Sequence, residues 1–593
     1  TGEYYFNISA VGLSEFNTTI KVTADQMVYN QGTIQLTEDA LLKEVSVFAS
    51  KIPMIVKQDT VEFNASAFKT NPNDAVSELL KKVPGMEIDQ DGNLTVNGEN
   101  IGQILVNGKE FFGDDPKIAL ENLPADAIDK IKVYDQMSEK SEFTGVDDGE
   151  RTKTLDLTVK KDRLKGFFGN ATGGGGYDPE SEKARYYGKA SINRFTESYQ
   201  LSLLGMMNNT NETGFSYSEF ANFMGGQERM GRGSNQWNFN AGSFPVSFNL
   251  SSGETRTAFG GGNFNWSPSK KTDLNVSYMY YNIRNDQFTR TDRENFIDEG
   301  TYFSSRDENQ ESGSGSHRVN FRLEQRINKN NEITVEGSAG LRDNFVKSLT
   351  NDSTYSIVRG GQPEFLQNLS ASSYNSFQDA YDYDASIFYK KKFNKRGRSL
   401  FIEYNIEGSN EANRIRLDSY NAFNAGVMLV GDSLIQNQTN DLDDLRMTAE
   451  ISFTEKFGKD HFVELSVEGD QYRGDVDYIV YDVNPNTVVL NEFQSNIYEP
   501  QLDQYRARAA YRFIQGKINV TAGISGQYAE INGDLQLQDV QLSKSFRNLL
   551  YDLSMRYNVA MGRSLNIEFK TKTNAPSIQQ IQPVVDNSNP LYI

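Results

Sequence analysis

The chain has 593 residues, more than one compact domain ordinarily holds, and a formal net charge of −20, which excludes the basic patch of a nucleic-acid binder. It contains no Cys and 2 His, which rules out a disulfide framework and a thiolate metal site and leaves little for zinc or haem, so no metal and no cofactor is expected. No run of 18 or more apolar residues occurs, so no transmembrane helix is predicted.

The opening stretch TGEYYFNISAVG lacks the basic start and apolar core of a signal peptide and reads as strand, so the chain is expected to be a mature or trimmed form. Within residues 1–42, YYFNISAVG, FNTTIKV and GTIQL read as three short strands. So short a segment cannot bury a core of its own and is expected to be the end of a small β-sandwich.

Residues 43–162 read as an α+β domain. In DAVSELLKKV, Val76, Leu79, Leu80 and Val83 recur at helical spacing, and Pro84-Gly85 ends the run. MEIDQDGNLTVNG predicts a hairpin around Asp91-Gly92 rather than a calcium loop, because the remaining ligands are missing. ILVNGKEFF predicts a strand, a turn and an aromatic pair, Phe111 and Phe112, and a short helix from Ala125 to Asp129 leads into IKVYD.

From about Gly166 the pattern changes, and residues 163–593 read as one run of strands of roughly 10 to 20 residues. In QYRARAAYRF, Tyr505, Ala507, Ala509, Tyr511 and Phe513 share one face while Arg506, Arg508 and Arg512 share the other. In KINVTAGISGQY, Ile518, Val520, Ala522, Ile524 and Tyr528 alternate with Asn519, Thr521, Gly523, Ser525 and Gln527. Short links near 195–197, 268–270, 328–330, 394–396, 457–459, 515–516 and 561–563 alternate with long links near 209–254, 288–312, 347–373, 412–441 and 481–499. An antiparallel sheet returns every second link to the same side, so one rim carries tight turns and the other long loops, as in outer-membrane barrels. Many runs reach the ~9–11 residues that a tilted strand needs to span a bilayer. Aromatics gather near strand ends, as in YMYY, FIEY and SIFY. The fold class is therefore mainly β: a transmembrane antiparallel β-barrel preceded by an N-terminal α+β domain, and the arginine row is expected to face the lumen, paired with carboxylates. About 15 strands are counted; single-chain bacterial barrels use an even number, so the natural protein is expected to continue past Ile593.

The order of domains and several stretches resemble the Bacteroidota TonB-dependent receptors, the outer-membrane β-barrel proteins related to SusC. Residues 1–42 resemble the end of the carboxypeptidase-regulatory-like domain that precedes the plug there. LLKKVPGMEID, ILVNGKEFFGDDPKIALENLPADAIDKIKVYD and FTGVDDGERTKTLDLTVK resemble the plug, and QQIQPVVDNSNPLYI resembles a late-barrel motif. The resemblance implies a barrel of about 22 strands when complete, with the N-terminal α+β domain as a plug inside it, whose carboxylates or those of the wall are the expected partners of the arginine row. LKEVSVFA resembles the TonB box, a short extended segment before the plug, which places TonB binding at Glu44, Val45, Ser46, Val47, Phe48 and Ala49, with Ser46 and Phe48 standing where valine and threonine are commoner. An alternating, β-prone stretch suits edge-to-edge pairing with a partner strand; the alternative is a plain linker strand.

The function so implied is a receptor/transporter of the bacterial outer membrane, with long loops extracellular and with plug and N-terminal domain on the periplasmic side. It binds a solute and imports it with energy from TonB and its inner-membrane motor proteins. Outer-membrane lipid surrounds it, and the resemblance leaves open a SusD-like surface lipoprotein as a further partner. Candidate solute contacts are Phe215, Tyr217, Phe220, Phe223, Met224, Arg229 and Arg232 in the longest loop, with Phe111 and Phe112 at the plug apex or, alternatively, in the plug core. No nucleophile is paired with a base, so no enzyme is expected. The competing reading is a structural or adhesive barrel with a fixed plug, and deletion of Lys43 to Ala49 separates the two.

Overall fold

The computed structural model describes residues 2–573 except 9–15, 24–28, 37–52, 58–59, 72–73, 90–93, 112–115, 149, 213–252, 298–299, 359–364, 425–428, 539 and 561–562. The chain divides into two compact units, Thr1–Ile52 and Pro53–Ile593. In the first, Gly2–Ile8 pairs antiparallel with Phe16–Val22, from Gly2 against Val22 to Ile8 against Phe16. The GTIQL segment, expected as a third strand, is irregular: it enters no ladder among the described residues, and an extended segment becomes a strand only by pairing.

The second unit begins with the α+β domain. Its sheet has six strands, in the order Met54–Lys57, Thr60–Asn64, Ile128–Met137, Arg151–Val159, Gln103–Val106 and Lys109–Glu110. The helix Val76–Leu80 carries the predicted apolar face: Val76, Leu79, Leu80 and, just beyond it, Val83 are all buried. Met86–Ile88 pairs with Leu94–Val96, as the hairpin pattern predicts. The expected helix at Ala125 is a single 3₁₀ turn, Ala125–Ala127, because the central strand already starts at Ile128.

The rest of the unit is one antiparallel ladder in which strands follow chain order, from Phe168–Asp178 to Arg563–Lys570. It has fifteen strands on its path and a sixteenth, Thr487–Leu490, at the side of His461–Asn484. Tight turns fall where the short links are predicted, for example at 329–330, 458–460 and 516–517, with Gly458 and Gly516 at φ 68° and 59°. The long links are different. The stretches near 288–312, 347–373 and 412–441 are for the most part strand, in hairpins of 26 to 29 residues per arm such as Gly300–Asn328 and Leu429–Phe457. Pairing runs unbroken from Gly300 against Val358 down to Arg326 against Glu332, and the register shifts once before Asn328 meets Asn331.

The position of the membrane is written on the outward face. On Thr272–Ile297 the outward residues are Leu274, Val276, Tyr278 and Tyr280, then Asn282, Arg284 and Asp286. The neighbouring strands repeat this: apolar outward positions end at Leu341, Tyr381, Leu445, Tyr505 and Tyr528, and the next outward residues are Asp343, Asp379, Asp443, Asp503 and Glu530. Each apolar run is about nine residues, or ~25 Å of height at the usual strand tilt, which matches the band of an outer-membrane barrel.

The boundary also slips along the ladder. The cross-strand row through Asn282 runs by Gly315, Asp343, Asp379, Ala412 and Asp441 to Asp477, yet on that last strand polarity begins at Gln471. Six residues of slip over six strand steps, at ~3.3 Å per residue and ~4.8 Å per strand, is a tilt of about 35°. The tight-turn rim thus lies at one edge of the apolar band. Beyond the other edge the strand Gly300–Asn328 continues from Gly315 to Gly300, about 40 Å further along the membrane normal. Both histidines of the chain sit at the band edges beside tyrosines. His317 Nδ1 is 2.8 Å from the Tyr278 hydroxyl at the far edge, and His461 Nδ1 is 2.6 Å from the Tyr511 hydroxyl at the turn edge.

Candidate functional site

The site is the α+β domain and the inward face of the wall around it. Its core is set by tight turns. Asn107-Gly108, both at positive φ (53° and 73°), reverse the chain between Gln103–Val106 and Lys109–Glu110. The Asn107 side chain accepts from Val159 N at 2.8 Å, and Gly108 N donates to Asp156 at 2.8 Å. In the Val83-Pro84-Gly85 motif, Gly85 has φ 79°, its carbonyl accepts from Asn97 N at 2.7 Å, and a Cβ there would meet Asn97 Oδ1 at 2.5 Å, so any other residue is strained and displaces Asn97. One strand in from the edge of the sheet, the buried Glu62 accepts from Lys130 at 2.5 Å and Lys57 at 2.8 Å; these two partners hold its carboxyl down at about 2.

The domain meets the wall in two chemically different ways. Toward the strands from Phe168 to Ile297 the contact is mainly apolar, with a single ion pair, Lys109 to Asp273 at 3.9 Å, among the described residues. Phe168, Phe195, Leu204, Phe259, Met279, Tyr281 and Ile283 form one continuous buried cluster with the domain's own core. Phe168 and Phe195 meet edge to face at 5.1 Å. Wall side chains donate to backbone carbonyls of the domain: Ser191 to Asn122 at 2.9 Å, Asn265 to Glu110 at 2.9 Å, Gln200 to Val106 at 3.3 Å, and Lys189 to Glu121 at 2.9 Å.

Toward the strands from Gly300 onward the contact is ionic. The helix Glu139–Thr144 is capped by Ser138, whose hydroxyl accepts from Ser141 N at 3.1 Å, and ended by Gly145 at φ 69°. That cap aims Glu139 at the wall, where it pairs with Arg322 and, at 2.6 Å, with Lys390. Lys390 also reaches Glu332 at 2.9 Å, and Arg322 also pairs with Glu336. Burial alone would raise the Glu139 carboxyl, but Arg322 and Lys390 outweigh it and hold it below its ordinary value. Further along, Lys140 faces Glu450 at 3.7 Å, Asp135 pairs with Arg556 at 3.1 Å, and Phe143 touches Phe401 edge-on at 6.4 Å. The arginine row lies inward as predicted: Arg508 pairs with Glu464 at 3.0 Å and Asp552 at 2.7 Å, Arg512 with Glu464 at 3.3 Å, and Arg506 with Glu468 at 3.6 Å.

Of the residues singled out in the sequence, Phe111 packs in the domain core with 2% of its surface exposed, so its ring is turned away from the lumen. Phe112 lies outside the described residues, as do the TonB-box residues Glu44 to Ala49 and the loop residues Phe215, Tyr217, Phe220, Phe223, Met224, Arg229 and Arg232. The ionic set around Glu139 was not singled out. Its signal was charge at inward strand positions such as Arg322, Glu332 and Lys390, but partners this far apart in sequence are not readable from it.

An inward-pointing charged lining, an outward apolar band and an α+β domain held against the inward face define a plugged transmembrane β-barrel. Residues 391–593, about a third of the chain, match the outer membrane protein beta-barrel family, which puts the barrel in the bacterial outer membrane. No curated protein matches. Solved structures with a similar course include the copper transporter OprC (10% identity, 86% of this chain and 92% of that one, TM-score 0.23). Others are a ferric enterobactin receptor, PfeA, from Pseudomonas aeruginosa (11%, 87% and 94%, 0.20) and the ferric citrate transporter FecA (10%, 86% and 84%, 0.24).

Proposed function

We propose that the protein is a plugged outer-membrane receptor that binds a solute from the outside and imports it with energy supplied by TonB. The observation that carries this reading is the ionic seam: a plug that must move is better held to one side of its barrel by charges that water can take over than by apolar packing all round. TonB would pair with the stretch from Glu44 to Ala49 and pull, and its inner-membrane motor proteins would supply the force. The loop residues Phe215, Tyr217, Phe220, Phe223, Met224, Arg229 and Arg232, together with Phe112, are proposed solute contacts. The order of domains, residues 1–42, 43–162 and 163–593, is part of the same proposal, as are the outward direction of the long hairpins and a SusD-like lipoprotein over them. The test is deletion of Lys43 to Ala49. Solute-dependent growth or uptake is expected to fall to the level of a strain lacking TonB, with the barrel still assembled. A second reading, a structural barrel with a fixed plug, is favoured by the continuous core shared by plug and wall, and unchanged uptake in the deletion would establish it.

A further inference from the structure

The two kinds of contact respond differently to separation. An apolar cluster and buried neutral hydrogen bonds lose their stabilisation when water enters, because exposed apolar surface is not compensated. Ion pairs that open into a water-filled lumen have both partners rehydrated, so little net free energy is lost; the large penalty belongs to a charge left buried alone. The apolar cluster and most of the neutral hydrogen bonds run along the wall from Phe168 to Ile297, where Lys109 to Asp273 is the one ion pair among the described residues, whereas the wall from Gly300 to Arg556 holds the plug mainly by ion pairs, with the neutral bond from Asn519 to the Asp147 carbonyl beside them. A seam and a hinge therefore lie on opposite sides of the same plug.

We propose that the passage opens on one side only: the helix Glu139–Thr144 parts from the strands Gly300–Asn328, Asn331–Val358, Phe365–Lys392 and those after them, while the plug stays fastened at Val106, Glu121 and Asn122 to the wall between Phe168 and Ile297. The solute's route is then lined by Arg322, Glu332, Glu336, Lys390 and Glu450, a charged surface with one carboxylate more than its cations. This rests on the reading that the plug is pulled, but the unequal strength of the two sides is a property of the protein alone and is measurable without TonB.

The chain has no cysteine, so single cysteines are unambiguous reporters. Two buried serines on the inward wall serve. Ser191 lies under Asn122 on the hinge side; Ser452 lies on the seam side, paired across strands with Phe401, which touches Phe143. Ser191→Cys and Ser452→Cys are made in the full chain in detergent, with urea below the unfolding midpoint, and labelled with a maleimide. Raising NaCl from ~0.01 M to ~1 M, which cuts the Debye length from ~30 Å to ~3 Å, is expected to speed labelling at 452 by about tenfold and to leave 191 unchanged. Equal acceleration at both, earlier labelling at 191, or no salt dependence at 452 overturns the proposal. Failure of the TonB-box deletion to affect uptake would remove the import reading while leaving this result standing.

Discussion

Lys390 is the residue on which the ionic seam can be tested most sharply. Its side chain is 3% exposed and its ammonium lies between Glu139 at 2.6 Å and Glu332 at 2.9 Å. Breaking a buried pair by removing one partner typically costs ~3–5 kcal/mol, because the remaining charge is left without compensation. Here each carboxylate keeps a second partner, Glu139 with Arg322 and Glu332 with Arg326 at 3.1 Å, so Lys390→Met is expected to cost less, about 2 kcal/mol. Glu332→Gln in the Lys390→Met background removes a buried charge left with Arg326 alone and is expected to recover about 1 kcal/mol, a coupling within the usual range for contacting residues. Urea unfolding of the detergent-held protein, followed by the gel shift between folded and unfolded barrel, gives both differences. If Lys390→Met leaves the midpoint unchanged, or if Glu332→Gln destabilises the double variant further, the seam is not held by these charges and the argument for one-sided opening loses its foundation.

Gly85→Ala places a Cβ into a left-handed backbone and against Asn97, so a loss of about 1–2 kcal/mol is expected in thermal melts of the whole protein, more if Asn97 cannot yield. The Glu62 carboxyl falls from 4.5 to about 2 on folding, so its contribution is full above about pH 4.5 and is lost as pH drops toward 2; Glu62→Gln should destabilise at pH 7 and have little effect near pH 2, read as melting midpoint against pH. On one strand, Ile451→Arg puts a charge in the middle of the outward apolar run and should cost ~2–4 kcal/mol of folding into lipid vesicles, whereas Asp441→Arg, outward but past the polar boundary, should fold normally. Equal behaviour of the two would mean that the band has been placed wrongly.

The barrel was legible wherever one face meets lipid and the other meets the lumen, as at Tyr505 to Phe513 opposite Arg506 to Arg512. It was not legible where both faces meet water. SSRDENQESGSGS has the composition of a loop, yet it is strand, because its backbone partners are supplied by the arms on either side and no apolar face is required. The plug turns at Asn107-Gly108 and Gly85 were visible as residue types; that Asn107 also receives Val159 N was not. The ionic seam stayed hidden for a simpler reason. Glu139 and Lys390 stand 251 positions apart, and only the ladder's register brings them together.

The overhang has an electrostatic consequence. Just past the lipid, Asp343 stands opposite Asp379, Asp441 opposite Asp477, and Asp443 opposite Asp475, all on the outer surface. Like charges so placed repel, and dissolved cations gather to screen them within about 10 Å at 0.1 M salt. The mouth of the barrel therefore wears a belt of counter-ions. Dilution should loosen the upper wall before it touches the part in the bilayer, and cationic molecules drifting along the cell surface should linger there.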